Sequence, residues 1–525
     1  MRSLASSGTW VLTALAAMSC RAQLPREVPS ASSGSAGSAA LPASAAPATP
    51  QPDDGPPPDA EIITDRVLAM NASHLGRPPS TFRTGHVTAR AAPKPVKTAQ
   101  GYEVKFGSAM ITTPTVYDRK VLVSGGFNSR QLFAFEATTG KPVWGLALDD
   151  DGPSNPACDQ GVCVINTESC TIFAIAADTG KHLWSWWLGD PLTSAPTIAG
   201  GRVFTSFPAA GTADGKPLPA GASHVLAAFD LQKGTSLWQL WLDSDVMSSP
   251  VAAGEFVYVT TFAGTVIKLE QATGKVRYAM KASATSAPVV QFQDGVESMY
   301  YTRRGDAEQG SAEEMIIRAD HNEPKTRYKA ARKKAAYIDK KVQFDSDYAV
   351  EASAADSGNG FGGGAPASAN AGMAAQNVGV KSVSSMQGFQ GSRVLRLGAR
   401  NVNTMGDEVI ATDAETGSVL WREKVSGDLA AGGALATAPV PAGNSILYVT
   451  LGGDVQRRDA ANGKLLKGYQ VGGRVRSQPV LAGGWIYIGT DDGRLVAIDT
   501  KDPTVDGWPT WGGNAQRSGV APLTR

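Results

Sequence analysis

Cysteine is almost missing from this chain: four residues in 525, at Cys20, Cys158, Cys163 and Cys170, with no two adjacent. A small disulfide-dense scaffold is therefore excluded. Histidine is as scarce. The five residues His74, His86, His182, His224 and His321 lie too far apart for a HExxH zinc helix, and neither a phosphate-cradling glycine loop nor a nucleophile elbow occurs. LDDDG at 148–152 gathers three carboxylates without the other ligands of a calcium loop. The apolar stretch at 10–18 is too short to span a bilayer. Charge of either sign is not in excess: 49 Lys and Arg against 48 Asp and Glu leave a net +1. No global field draws in nucleic acid or an anionic membrane, so partners must be argued locally.

What is abundant is glycine, 58 residues, together with an internal repeat. ATDAETGSVLW at 411–421 reads as the end of a strand, a glycine turn and the start of a returning strand with a large aromatic. AFEATTGKPVW (134–144), AIAADTGKHLW (174–184) and AFDLQKGTSLW (228–238) keep the first Ala, the Gly and the Trp in register. KLEQATGKVRY (268–278) ends in Tyr278, and RRDAANGKLLK (457–467) ends in Lys467. RADHNEPKTRY (318–328) and AIDTKDPTVDGW (497–508) carry Pro where Gly belongs. The third positions of these frames step by about 40 residues wherever no insertion intervenes, the length of a four-stranded propeller blade. Pro156, Pro250, Pro439 and Pro479 each stand 20 residues before such a position. Between them lie β-branched and aromatic runs split by glycine turns. The expectation is an all-β, eight-bladed propeller of four-stranded blades.

The A-x-D-x-x-T-G-x-x-x-W frame resembles the PQQ-like β-propeller repeat family over residues 101–525, and GWPTWGGNAQRSG at 507–519 resembles the segment that flanks such propellers. The resemblance implies that Trp144, Trp184, Trp238, Tyr278 and Trp421 pack against neighbouring blades. It also raises a quinone-dependent dehydrogenase, whose site uses adjacent cysteines closed into a ring. That pair is lacking, so no catalytic, cofactor or metal residue is assigned.

The N-terminal residues 1–20 read as an export signal, and AAMSC resembles a lipobox in which Cys20 is acylated; simple secretion is the alternative. Arg21 after Cys20 favours the outer membrane over inner-membrane retention, by resemblance to the lipoprotein sorting rule. Residues 21–60 are mainly Ala, Ser, Pro and Gly, a disordered tether, and 61–100 form an N-terminal extension with one short amphipathic helix within 59–75. Placing the turn at Gln160-Gly161 sets Cys158 opposite Cys163, as a cross-strand disulfide requires; a three-cysteine metal site is the competing reading. A basic and Gly-rich insert at about 325–385 opens with Lys325, Arg327, Lys329, Arg332, Lys333 and Lys334, a patch for an anionic partner or merely a solvated segment.

A lipid-anchored, exported propeller without the quinone clamp is similar to the BamB type of outer-membrane assembly lipoprotein. That implies a non-enzymatic monomer that binds protein, possessing no cofactor, holding the membrane by its lipid alone and avoiding nucleic acid. The partner by this resemblance is the outer-membrane barrel assembly machinery. A surface or periplasmic propeller that binds glycan or another protein fits the same fold.

Overall fold

The computed structural model describes residues 60–72, 85–107, 110–126, 129–167, 171–189, 194–209, 216–293, 296–304, 313–320, 323–334, 394–405, 408–425 and 436–521. The signal, Cys20, the tether, Cys170 and the stretch 335–393 lie outside them.

The repeated frame is the hairpin between the third and fourth strands of a blade. In 411–421 the Asp413 carboxylate accepts the backbone N–H groups of Glu415 (2.9 Å) and Thr416 (2.8 Å) and the Thr416 hydroxyl (3.0 Å), which holds its pKa below the usual carboxylate range. Asp230 and Asp459 fasten their turns in the same way. A β-bulge follows, pairing Ala411 with Trp421 and Thr412 with Val419, and it recurs in the other frames. The bulge sets the direction of the aromatic.

Seven blades are each built from four strands consecutive in the chain: blade 1 at 115–148, blade 2 at 157–187, blade 3 at 197–242, blade 4 at 251–281, blade 5 at 289–334, blade 6 at 395–424 and blade 7 at 440–470. The expectation of eight four-stranded blades is thereby corrected. The repeat yields seven. The last frame supplies only Val480–Ala482, Trp485–Gly489 and Arg494–Asp499, and that sheet borrows Gly101–Lys105 and Val96–Thr98 from the N-terminal side. This composite sheet joins blade 7 to blade 1. Pro503 explains why: it stands where the returning strand would begin, and it can neither take the left-handed turn position nor donate to a ladder.

The first strand of each sheet lies innermost, next to the first strand of its neighbour. Aliphatic and aromatic side chains from facing sheets fill the wedges between blades, as with Val164, Val203 and Phe229 between blades 2 and 3. The segment 325–334, read from sequence as the start of an insert, belongs to Glu323–Lys334, the outermost strand of blade 5.

Residues 60–72 and 85–105 form a strap along the outer edges of the ring. Glu61–Ile62 pairs with the outer strand of blade 4. The helix Thr64–Met70 then buries Ile63 and Val67 beside Leu240 and Ala279 of blades 3 and 4. Asn71 accepts the Trp241 N–H (2.7 Å) and donates to its carbonyl (3.3 Å), taking the place of a strand on blade 3. The Ser185 hydroxyl of blade 2 donates to the Gly85 carbonyl (3.2 Å). Val87–Ala89 pairs with blade 1, and the strap enters the composite sheet.

Candidate functional site

The residues singled out by the repeat form latches between blades. The indole N–H of Trp144 donates to the Ala177 carbonyl (3.2 Å), that of Trp184 to Leu231 (2.9 Å), that of Trp238 to Gln271 (2.9 Å) and that of Trp421 to Ala460 (3.0 Å). Each acceptor follows the third position of the next frame. Beneath each indole lies the next frame's glycine. At Gly234, with φ +68°, a Cβ would stand 2.5 Å from the Trp184 ring, so the seam tolerates no side chain; Gly180, Gly274 and Gly463 take the same place. Tyr102 latches the composite sheet to blade 1 through the Ala137 carbonyl at 2.6 Å. Sequence reasoning missed Tyr102 because it lies outside any frame.

Tyr278 behaves differently. Its hydroxyl lies 3.9 Å from Met299 Sδ of blade 5, and this seam contains a buried ion pair, Lys268 Nζ to Glu297 Oε2 at 2.5 Å. Lys268 also sits 4.0 Å from the Phe256 ring centroid. Burial, reinforced by the Glu297 charge, pushes the phenols of Tyr258 and Tyr278 up. Both phenols therefore keep their protons at physiological pH.

Cys158 and Cys163 face each other in register and are joined at an S–S distance of 2.05 Å, with Cα atoms 4.1 Å apart. Both are buried among Leu122, Ile165 and Phe173. Among the described residues no group of three His, Cys, Asp or Glu could hold a metal ion.

The axis of the ring is occupied by the chain itself. Carbonyls of residues 508–519 accept N–H groups from innermost strands: Leu481 bonds to Trp508, Val116 to Pro509, Ile198 to Ala515, Ala252 to Gln516 and Arg396 to Gly519. At the centre the fully buried Arg517 donates to the carbonyls of Trp511 (2.8 Å) and Pro196 (3.3 Å) and to the Thr510 hydroxyl (3.1 Å). Trp508, Gly512, Arg517 and Gly519, noticed in sequence as a flanking pattern, form this hub. A cavity of about 320 Å³ beside it is lined by Gly200, Gly254, Gln271, Gln516 and Ser518 and has no charged side chain.

The outer rim remains. The strap touches the outer edges of blades 1 to 4 and completes the composite sheet, whereas among the described residues nothing pairs with the outer edges of blades 5, 6 and 7. The outer strand of blade 7, Leu465–Gln470, is exposed except for a half-buried Tyr469, and Leu465 and Leu466 are each about half exposed. In blade 6, Val419 and Leu420 are exposed as well. Lys325, Arg327, Lys329, Arg332, Lys333 and Lys334 fall on the blade 5 edge strand.

A family model described as outer membrane protein assembly factor BamB matches residues 128–215, 221–310 and 377–517, more than half of the chain. The chain belongs to this BamB family. The matched stretches take in most of blades 1 to 4, blades 6 and 7 and the axial segment. Among solved structures it is similar to BamB from Moraxella catarrhalis, at 14% identity and a TM-score of 0.50 over 77% of this chain and 99% of that one. Sqt1 of Saccharomyces cerevisiae is 10% identical with a TM-score of 0.51, over 78% and 99%. The quinohemoprotein alcohol dehydrogenase ADHIIG of Pseudomonas putida HK5 is 13% identical with a TM-score of 0.47, over 88% and 81%, a likeness that supports no further conclusion. At such identities the BamB and Sqt1 matches show the propeller fold alone. No curated protein matches the chain. Among the described residues no helix is long and apolar enough to cross a membrane.

Proposed function

We propose that the protein is an exported, non-enzymatic scaffold that holds a protein partner in outer-membrane protein assembly, anchored by a lipid on Cys20. The observation that carries this reading is the uncovered arc of the rim. Among the described residues the strap shields the other sheet edges and nothing pairs with three consecutive ones, and exposed edges are templates for another chain. Membership of the BamB family supports the assembly role, and the self-filled axis supports a binding function over a reaction.

The test is a photo-crosslinking residue placed at Leu466 in cells, with mass spectrometry of the adduct. Capture of a component of the barrel assembly machinery is the expected result. Stoichiometric quinone binding by the purified protein, with dye-linked alcohol oxidation on adding quinone and Ca²⁺, would replace the scaffold by a dehydrogenase. Cys20→Ser should release the protein from the membrane fraction and abolish fatty-acid labelling. A wild-type chain that takes up no label is secreted or periplasmic instead.

A further inference from the structure

The strap shows how this molecule covers a sheet edge, and blade 7 repeats the chemistry of a covered edge without its cover. In blade 1 the residue after the latch tryptophan is Gly145, and the strap lies directly on it: Arg90 N–H donates to the Gly145 carbonyl at 2.8 Å. A Cβ on Gly145 would stand 2.5 Å from the Arg90 carbonyl oxygen. Only glycine admits a backbone that close. The same repeat position in blade 4 is Ala279, whose carbonyl accepts the Ile63 N–H (2.9 Å) and whose own N–H donates to Thr64 Oγ1 (2.9 Å). In blade 2 it is Ser185, bonded to Gly85, and in the composite sheet it is Glu103, paired with Val96. At this position each of these four edges meets the strap.

In blade 7 the position is Gly468, in the middle of Leu465–Gln470. Its backbone groups face outward. Val471 N–H bonds to the Gly453 carbonyl (3.0 Å), and Tyr469 and Lys467 stand opposite Val455 and Arg457. Hydrogen-bonded pairs alternate along an antiparallel ladder, so Gly468 and Gln470 direct their N–H and C=O groups away from the sheet, as Ala279 does. Among the described residues no strand pairs with Gly468 on its outer side. A Cβ there would find only the Val455 carbonyl oxygen, at 3.8 Å.

We infer that the outer edge of blade 7 at 465–471 is a strand-acceptor site for an extended, acidic segment of a protein partner, laid against Gly468 as the strap lies against Gly145. The inference rests on the scaffold reading above and names the partner's chemistry. Charge selects the acid. KLLKGYQ at 464–470 holds two lysines and no carboxylate, and Lys424 lies on the neighbouring blade's edge strand. Covered edges show the same matching: uncharged PVWGLAL of blade 1 takes Val87–Ala89, and Glu61 of the strap stands in register opposite Lys281. The occupant therefore alternates small or β-branched residues with Asp or Glu.

Fluorescence anisotropy with the full-length protein and a labelled nine-residue peptide alternating Val and Asp tests the site. The wild type should bind it, with affinity falling as salt is raised and with no binding of the Val/Lys counterpart. In the close approach seen at Gly145, where a Cβ would stand 2.5 Å from the Arg90 carbonyl oxygen, Gly468→Val displaces the incoming backbone while keeping a good strand former in an edge strand that has room for it; loss of one or two net hydrogen bonds should weaken binding at least about tenfold. Lys464→Glu with Lys467→Glu should invert the preference toward the Val/Lys peptide. No binding to the wild type, equal binding by Gly468→Val, or equal binding of both peptides would each overturn the inference. A concentration-dependent dimer lost in Gly468→Val would assign the edge to a second copy instead and overturn it as well. If the crosslinking in cells captures the assembly machinery and Gly468→Val leaves that capture unchanged, the scaffold reading stands and the acceptor site falls.

Discussion

The strapped arc and the open arc of the ring solve the same problem in different ways. On blades 1, 2 and 3 the outer strands read PVWGLAL, HLWSWW and SLWQLWL, without one Asp, Glu, Lys or Arg. On blades 6 and 7 they read VLWREK and LLKGYQ, and on blade 5 six of twelve residues are Lys or Arg. The difference follows what lies outside. Under the strap, Leu146, Leu148, Leu240 and Leu242 are buried, each worth about 1.5–3 kcal/mol, and a charge there would need a partner. An edge open to water is protected from indiscriminate pairing by its charges. On blades 1 to 3 edge composition follows closure from within, whereas the strapped strand VRYAMK of blade 4 keeps Arg277 and Lys281, the latter in register with Glu61 of the strap.

The largest effects should come from the latches. Trp184→Ala, in the strapped arc, and Trp421→Ala, in the open one, should each cost about 3–5 kcal/mol by urea denaturation. Hydrogen exchange should separate them, with protection lost locally in blades 6 and 7 for Trp421→Ala and around the strapped arc for Trp184→Ala. An identical exchange pattern would mean that the strap adds no mechanical coupling.

Asn71→Ala removes two hydrogen bonds to Trp241 and leaves that N–H without the strap, so a loss of about 1–3 kcal/mol is expected, read from the urea midpoint and the Trp241 amide. An unchanged midpoint would detach this stretch of strap from the stability of blade 3.

Acid should act on the strapped arc first. His224 in blade 3 is fully buried and His182 in blade 2 partly so; burial lowers both pKa values, against the opposing pull of Asp245 and Asp243 on His224 and of the Trp184 backbone and Asp149 on His182. The unfolded chain binds protons at these sites near pH 6.5 while the folded chain does not, so their stability is fully present above about 6.5 and declines as pH falls below it. Thermal melts from pH 7.5 to 5 should show this decline, and His224→Gln should flatten it.

The smallest effect should be found at the open edge: Leu466→Thr should change stability by no more than about 0.5 kcal/mol. A larger loss would mean that this leucine is covered in the folded protein.

The latches were legible in the sequence because Trp421 and the turn at Asp413 to Gly417 lie within one hairpin and repeat at a fixed distance. Their exact contacts were not, since Trp184 bonds to Leu231, 47 residues away. The strap was illegible beyond its helix. Glu61, Thr64 and Asn71 find their partners 170 to 220 residues downstream, and edge pairing through the backbone leaves no periodic mark. The blade count failed at one place. AIDTKDPTVDGW was read as an eighth frame, but its Trp508 goes to the axis and Tyr102 supplies the missing latch. The candidate acceptor edge was hidden for a related reason: Gly468 looks like any strand glycine until Gly145 is seen beneath Arg90.

The composite sheet has a temporal consequence. Arg494 and Glu103, an ion pair across it, are 391 positions apart, and bringing such distant segments together costs about 5 kcal/mol in chain entropy. For a polypeptide delivered N-terminus first, the strand at 101–105 waits through the appearance of all seven blades before its partner at 494–498 arrives. The circle is thus fastened last, by a clasp whose two halves are the earliest and latest blade strands to emerge, and a chain halted before residue 485 would remain an open crescent.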